Sequence, residues 1–144
     1  MEDKVIADFR KKTDMNFHLL DGMTAGEIEQ MVSYYIQAKI IDYYIDAKIE
    51  NVVLSGSRCR GIEKNGSDLD VVVSYEGSIR ENDLFNILHE ETFEIAGVEV
   101  DINPITEEKT GPLAEYLESA EQYLKEKEQY LKEKEQEKKW RRLL

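Results

Sequence analysis

Two aspartates spaced one residue apart, with a Gly-Ser pair upstream, are the residues of this chain whose types and spacing suit chemistry. Asp68 and Asp70 begin an apolar segment, and side chains two residues apart on a strand share one face. Two carboxylates about 4 Å apart repel by about 4 kcal/mol at an effective dielectric of about 20, so a cation is expected between them. Mg²⁺ suits this position because it takes a few carboxylate oxygens and completes its shell with water and substrate phosphates. Gly56 lets backbone amides approach a phosphate, and Ser57 adds a hydroxyl.

Each half of this pattern also has an ordinary structural explanation. Aspartates often flank a strand as solvated residues, and a Gly-Ser pair is often a turn. Here the Gly-Ser pair ends one predicted strand, residues 52–54, and the aspartates open the next, residues 69–74. The combination favours a site for a phosphate and a metal ion over two unrelated surface features.

The distribution of charge argues against an extended nucleic-acid groove. Residues 113–144 contain eight acidic and eight basic residues, so the first 112 residues, with 23 acidic and 11 basic, carry the whole net charge of −12. A surface that acidic repels phosphate backbones. Three of its few basic residues, Arg58, Arg60 and Lys64, follow the Gly-Ser pair, where they would attract an anionic nucleotide.

Several other classes of protein are also disfavoured. The chain has one cysteine, Cys59, which excludes an internal disulfide and favours the cytoplasm. No apolar run approaches about 18 residues, so no membrane span is predicted, and the polar N-terminus is unlike a signal peptide. His18 and His89 lie far apart without cysteine partners, which argues against zinc. Cys59 lies between two arginines, so its thiol could have a lowered pKa, but a small buried hydrophobe is the favoured interpretation.

The elements that must position these residues follow from periodicity and turn signals. They predict an α/β (α+β) domain, a small mixed sheet flanked by helices in the order α-α-β-β-α-β-β-α. Besides the two strands, three helices are predicted: a short helix over residues 4–12, a helix from the capping box Thr24–Glu27 to about residue 48, and a helix over 83–91 capped by Asn82. A hairpin of residues 93–95 and 98–102 is predicted around Ala96-Gly97, and Pro104 is expected to end its pairing. The tyrosines of the second helix suggest either a base-stacking surface or packing, and packing is favoured: Tyr34, Tyr35, Tyr43 and Tyr44.

The last 32 residues form a predicted charged helix with an internal repeat. Residues 121–127 recur as residues 128–134, and the 3-4 spacing of a coiled-coil seam is followed by Leu117, Ala120, Leu124, Lys127 and Leu131. A single exposed helix and a seam for a homodimer or a protein partner are equally supported. The stripe is narrow, so we expect little of the core to depend on it. The predicted organisation is an N-terminal arm (1–23), a central domain (24–112) and this helix (113–144).

Over residues 26–105 the chain resembles the nucleotidyltransferase superfamily. The motif is an apolar strand, Gly56-Ser57, ten intervening residues and Asp68-Leu69-Asp70, and it is similar to that of the minimal nucleotidyltransferases found as antitoxins and in mobile elements. The superfamily adds a third carboxylate on a later strand, and Asp101 matches it better than Glu99, which fits a surface or outer-shell position.

The resemblance implies an enzyme that moves NMP from an NTP, with ATP expected, to an acceptor hydroxyl and releases pyrophosphate. It implies a two-metal Mg²⁺ site, with Mn²⁺ as an alternative, on Asp68, Asp70 and Asp101, which are also the catalytic residues. The residues implied to bind the nucleotide phosphates are Gly56, Ser57, Arg58, Arg60 and Ser67. One arginine would face the triphosphate while the other pairs with nearby acids. The acceptor stays open, as do two alternatives: a non-catalytic NTP-binding module, or an antitoxin-like interaction module acting through the C-terminal helix.

Overall fold

The structure, a computed structural model, describes residues 3–144 and confirms the predicted order of helices and strands. The elements are α1 (Lys4–Asn16), α2 (Ala25–Asp42), β1 (Ala47–Ser55), a 3₁₀ turn (Ser57–Arg60), β2 (Leu69–Gly77), α3 (Glu81–Leu88), β3 (Glu94–Ile95), β4 (Val98–Ile105) and α4 (Leu113–Leu143). They build one four-stranded sheet in the order β1-β2-β4-β3. The β2–β4 pair is parallel and the other two pairs are antiparallel, so the predicted mixed α/β fold is confirmed.

Local signals at two turns are confirmed in atomic detail. The Thr24 hydroxyl accepts from the Glu27 backbone N–H at 3.2 Å, and the Glu27 carboxylate accepts from the Thr24 N–H at 3.2 Å, which completes the capping box. Ala96 and Gly97 have φ angles of 49° and 79°, and they join β3 to β4 as a two-residue hairpin loop. Both positive angles are those that the preferred hairpin turn requires.

The second helix ends earlier than its apolar pattern predicts. It stops at Asp42, because Tyr44 takes a left-handed φ of 51° and the Ile45 N–H bonds back to Ile40. The residues assigned to its last turn instead begin β1, which pairs with β2 along almost its whole length. Periodicity cannot separate the two outcomes in a short apolar segment.

Pro104 does not end the pairing of β4, contrary to prediction. It lies opposite Val73 in the parallel ladder, and Ile105 continues the pairing with Ser74. The short strand β3 covers only Val98 and Glu99, so β4 has an open side farther along. A missing N–H on an open side costs no ladder hydrogen bond.

The predicted start of α3 at an Asn82 cap is also wrong. The helix begins at Glu81 and has no side-chain cap. The Glu81 carboxylate is held from outside the helix, because it accepts from the Thr106 N–H at 2.7 Å and from the Thr110 hydroxyl at 2.8 Å. A tertiary contact therefore holds the first residue of this helix.

The first half of α4 is part of the core, so the expectation that little of the core depends on it is wrong there. Leu117 and Leu124, two of the seam residues, are almost fully buried where α4 packs on α1. The same 3-4 spacing that could serve a partner helix is used within the chain. Beyond residue 131 the helix is exposed. Within residues 3–144 no helix combines the length and the apolar character needed to cross a membrane.

Candidate active site

The strand register brings Asp70 and Asp101 together. They are direct partners in the parallel β2–β4 pair. Along β4, Glu99, Asp101 and Asn103 are exposed, while Val100 and Ile102 are buried in the core. Paired residues of neighbouring strands point to the same face of a sheet, so both carboxylates face one open side. The resemblance implied that the two aspartates share a metal site, and the sheet places them side by side.

The end of β1 brings the Gly-Ser turn to the same point. Ser55 is opposite Asp70 in the antiparallel β1–β2 pair, and the next residue is Gly56. Gly56 has a φ of 71°, and a Cβ at this position would collide with the Asp70 carboxylate. Only glycine allows this backbone to pass so close to the carboxylate.

The Asp70 carboxylate resists ionisation. Burial is the main cause, followed by repulsion from Asp101 and Asp68, and together they raise the pKa of Asp70 to about 6. Lys127 of α4 pulls this pKa the other way. Asp101 is half-exposed and is held by His89, whose Nε2 lies 3.0 Å from the Asp101 carboxylate. A perturbed carboxylate with a charged neighbour in a cleft is typical of a functional site.

The carboxylate oxygens of Asp70 and Asp101 suit a hard divalent cation. The two carboxylates lie side by side on one face of the sheet and supply hard oxygen atoms, and Mg²⁺ or Mn²⁺ needs few protein oxygens when phosphates and water supply the rest. Within residues 3–144 no three His, Cys, Asp or Glu side chains gather closely enough to form a complete metal-binding group. Asp68 is exposed, immediately before β2, and lines a separate cleft with Ser67 and Glu99. Its role as a metal ligand stays a prediction.

A cleft of about 520 Å³ opens over the paired carboxylates. The sheet forms its floor and α3 and α4 contribute its walls. The lining residues that matter below are Gly56, Asp70, Asp101, Phe85, Asn103, Tyr116 and Tyr123. The cleft therefore joins the predicted phosphate turn and two of the predicted metal ligands to residues of the C-terminal helix.

The two arginines of the motif loop have different surroundings. The Arg60 side chain is almost fully buried, forms an ion pair with Glu121 of α4 at 2.9 Å and donates to the Thr13 hydroxyl at 2.7 Å. It is the arginine that pairs with a nearby acid, and it does not line the cleft. Arg58 donates to the Ser67 carbonyl at 2.9 Å and lines the neighbouring cleft with Asp68.

Cys59 is a buried residue of the core and not a reactive thiol. Its side chain has no exposed surface, and burial raises the pKa of the thiol to about 12 despite the neighbouring Arg60. Thiolates are the reactive form, so the favoured interpretation of a small buried hydrophobe is confirmed.

The tyrosines predicted for the second helix lie away from the cleft. Tyr35 stacks on Phe93 with 4.1 Å between ring centroids, and its hydroxyl donates to the Leu88 carbonyl. Tyr34 and Tyr44 are exposed and line no part of the cleft. Packing is confirmed for Tyr35.

Sequence reasoning missed the residues that α3, β4 and α4 contribute. His89, Phe85 and Asn103 carry no motif of their own, although Asn103 continues the polar alternation that contains Asp101. For α4 a signal existed: Lys127 interrupts the apolar seam, and it acts on the charge of Asp70.

One comparison with known proteins gives a match. The model of the family described as polymerase beta, nucleotidyltransferase matches residues 38–130, from within α2 to within α4. No curated protein and no solved structure matches the chain. The matched range contains every residue that lines the cleft.

Proposed function

Since this chain belongs to the polymerase beta nucleotidyltransferase family, we propose that it is a Mg²⁺-dependent enzyme that transfers NMP from an NTP to an acceptor hydroxyl. The observation that carries the proposal is the pairing of Asp70 with Asp101 beside the Gly56 backbone, at the floor of the cleft. We propose ATP as the donor, Mn²⁺ as an alternative metal, and the cytoplasm, which suits a protein with one buried free cysteine, as its location.

The phosphates of the nucleotide would lie along the turn that follows Gly56. Its backbone approaches Asp70 closely, and the amides and hydroxyl of Ser57 come next in the chain. Arg58, at the same turn, would counter the triphosphate charge, and its contact with Ser67 shapes the loop. Arg60 has a positioning role in this proposal, because it ties the turn to α1 and α4 through its buried ion pair.

Asp68, Asp70 and Asp101 would hold the metal together. When bound, the metal neutralises phosphate charge and favours the deprotonated acceptor. Asp101 would take the proton of the acceptor hydroxyl as that oxygen bonds to the α-phosphorus and the bond to pyrophosphate breaks. His89 holds the Asp101 carboxylate in place. The chain contributes positioning and charge, as phosphoryl-group chemistry requires.

The test is transfer of label from α-³²P-NTPs to protein, RNA and small-molecule acceptors in the presence of Mg²⁺ or Mn²⁺. Wild type is expected to transfer label, Asp70→Asn and Asp101→Asn are expected to be inactive, and Glu99→Gln is expected to retain most activity. NTP binding without transfer to any acceptor would favour the non-catalytic module. Absence of NTP binding would overturn the proposal and favour an interaction module acting through the exposed end of α4, on a second copy or another protein.

A further inference from the structure

The geometry assigns the nucleoside end of the nucleotide to the part of the cleft between α3 and α4. We propose that it holds an adenine nucleoside, with Phe85 and Tyr123 against the base and the Asn103–Tyr116 pair at its polar edge. This inference rests on the proposed function, since it extends the same site. It adds a specificity-determining surface that the motif residues do not contain.

The strand register sets the direction in which a nucleotide must lie. The Gly-Ser turn is beside Ser55, at the start of β2, and Asp70 and Asp101 come next. Asn103 is two residues farther along β4 and pairs with Val72, which is about 7 Å beyond the carboxylates at the usual rise per residue. If the phosphates lie at the turn and the metal at the carboxylates, the nucleoside extends along β4 toward Asn103.

A matched polar pair lies at that point. The Asn103 side-chain amide donates to the Tyr116 hydroxyl at 3.1 Å, which ties β4 to α4 across the cleft. The amide has a second N–H and a carbonyl oxygen, and the Tyr116 hydroxyl has a proton of its own. An asparagine amide can both donate to N7 and accept from the N6 amine of adenine. Adenine therefore offers the amide one acceptor and one donor, and it is the base that we propose for this pair.

Aromatic side chains line the same region from both helices. Phe85 of α3 and Tyr123 of α4 are 38% and 64% exposed and line the cleft. Phe85 stacks on His89 with 3.8 Å between ring centroids, and His89 contacts Asp101. One chain of contacts thus connects the base-binding surface to a metal carboxylate. Base-aromatic stacking is a common and strong contribution to nucleotide affinity.

The simpler alternative is that Tyr123 is an ordinary surface residue of a charged helix. The internal repeat provides a matched control, because Tyr130 occupies the equivalent position seven residues later. Tyr130 is similarly exposed, at 56%, but lines no part of the cleft. Replacing each tyrosine by alanine separates the effect of this cleft position from the effect of losing an aromatic residue on α4.

The experiment is calorimetric titration, in Mg²⁺, of wild type and variants with ATP, CTP and inorganic tripolyphosphate, which lacks the nucleoside. Wild type is expected to bind ATP at least about tenfold more tightly than tripolyphosphate. Tyr123→Ala is expected to weaken ATP binding about 5- to 150-fold and to change tripolyphosphate affinity less than about twofold, whereas Tyr130→Ala changes neither. Asn103→Ala is expected to remove most of the preference for ATP over CTP.

The outcomes separate this inference from the function on which it rests. Equal affinity of wild type for ATP and tripolyphosphate would overturn the nucleoside site and leave the phosphate and metal site standing. The same conclusion follows if Tyr123→Ala and Tyr130→Ala behave alike. If wild type binds none of the three ligands, the proposed function falls and this inference falls with it.

Discussion

Replacing Asp70 by asparagine should stabilise the metal-free protein at neutral pH. The folded protein raises the pKa of this carboxyl from an ordinary 3.8 to about 6, so ionised Asp70 opposes folding. For a buried group this difference corresponds to about 3 kcal/mol. Asp70 is only partly buried, and solvent screening reduces the expected gain to about 1–2 kcal/mol. For a chain of 144 residues that is about 3–6 °C in Tm.

The stability that Asp70→Asn gains over wild type depends on pH. The raised pKa means that the folded state binds more protons than the unfolded state between about pH 4 and pH 6. The stability that protonated Asp70 contributes is therefore complete below about pH 3.8 and is lost as the pH rises through about 6. The advantage of Asp70→Asn should be largest above pH 7 and should shrink to about a third of that value at pH 4.5.

The assay is thermal unfolding of wild type, Asp70→Asn and the control Glu99→Gln at pH 4.5 and 7.5, with and without Mg²⁺. Glu99 is exposed and does not line the cleft, so its variant should melt like wild type. Mg²⁺ should raise the Tm of wild type and not of Asp70→Asn, because only wild type has both facing carboxylates. If Asp70→Asn is less stable than wild type at pH 7.5, or gains as much from Mg²⁺, the electrostatic account of the site is wrong.

Three further predictions follow from the same contacts. Asp101→Ala should lower the transfer rate about 100-fold or more and keep NTP affinity within several-fold, while Glu99→Ala should lower the transfer rate much less. Binding titrations and a transfer assay on both variants check this. An inactive Glu99→Ala would mean that the wrong carboxylate was chosen. Truncation after residue 131 should leave the fold intact by circular dichroism. Truncation after residue 119 should lower the free energy of unfolding, measured in urea, by about 3–5 kcal/mol, because it leaves the buried Arg60 side chain without Glu121. Equal stability of the two truncated proteins would contradict the packing of α4. Cys59 should resist iodoacetamide at pH 8 in the folded protein and react in urea, as measured by mass spectrometry, since burial raises its pKa to about 12; rapid alkylation of the folded protein would refute that burial.

The sequence by itself determined the features whose contacts are made between residues close together in the chain. The Thr24–Glu27 capping box and the Ala96-Gly97 turn are local, because their hydrogen bonds and φ angles are made within a few residues. Alternation along β4 predicted which of its residues face outward, since successive side chains of a strand point to opposite faces. The order of helices and strands and the nucleotidyltransferase motif were predictable for the same reason.

Tertiary structure decided how distant segments meet. The partnership of Asp70 with Asp101 depends on the register between β2 and β4, and a shift of one residue would turn one carboxylate to the other face. The pairing of Arg60 with Glu121 depends on how α4 packs, and no local rule distinguishes Arg60 from Arg58. The same packing buries half of the seam and makes α4 a wall of the cleft. Contacts between residues far apart in the chain are set by the burial of the whole core, which no short stretch of sequence encodes.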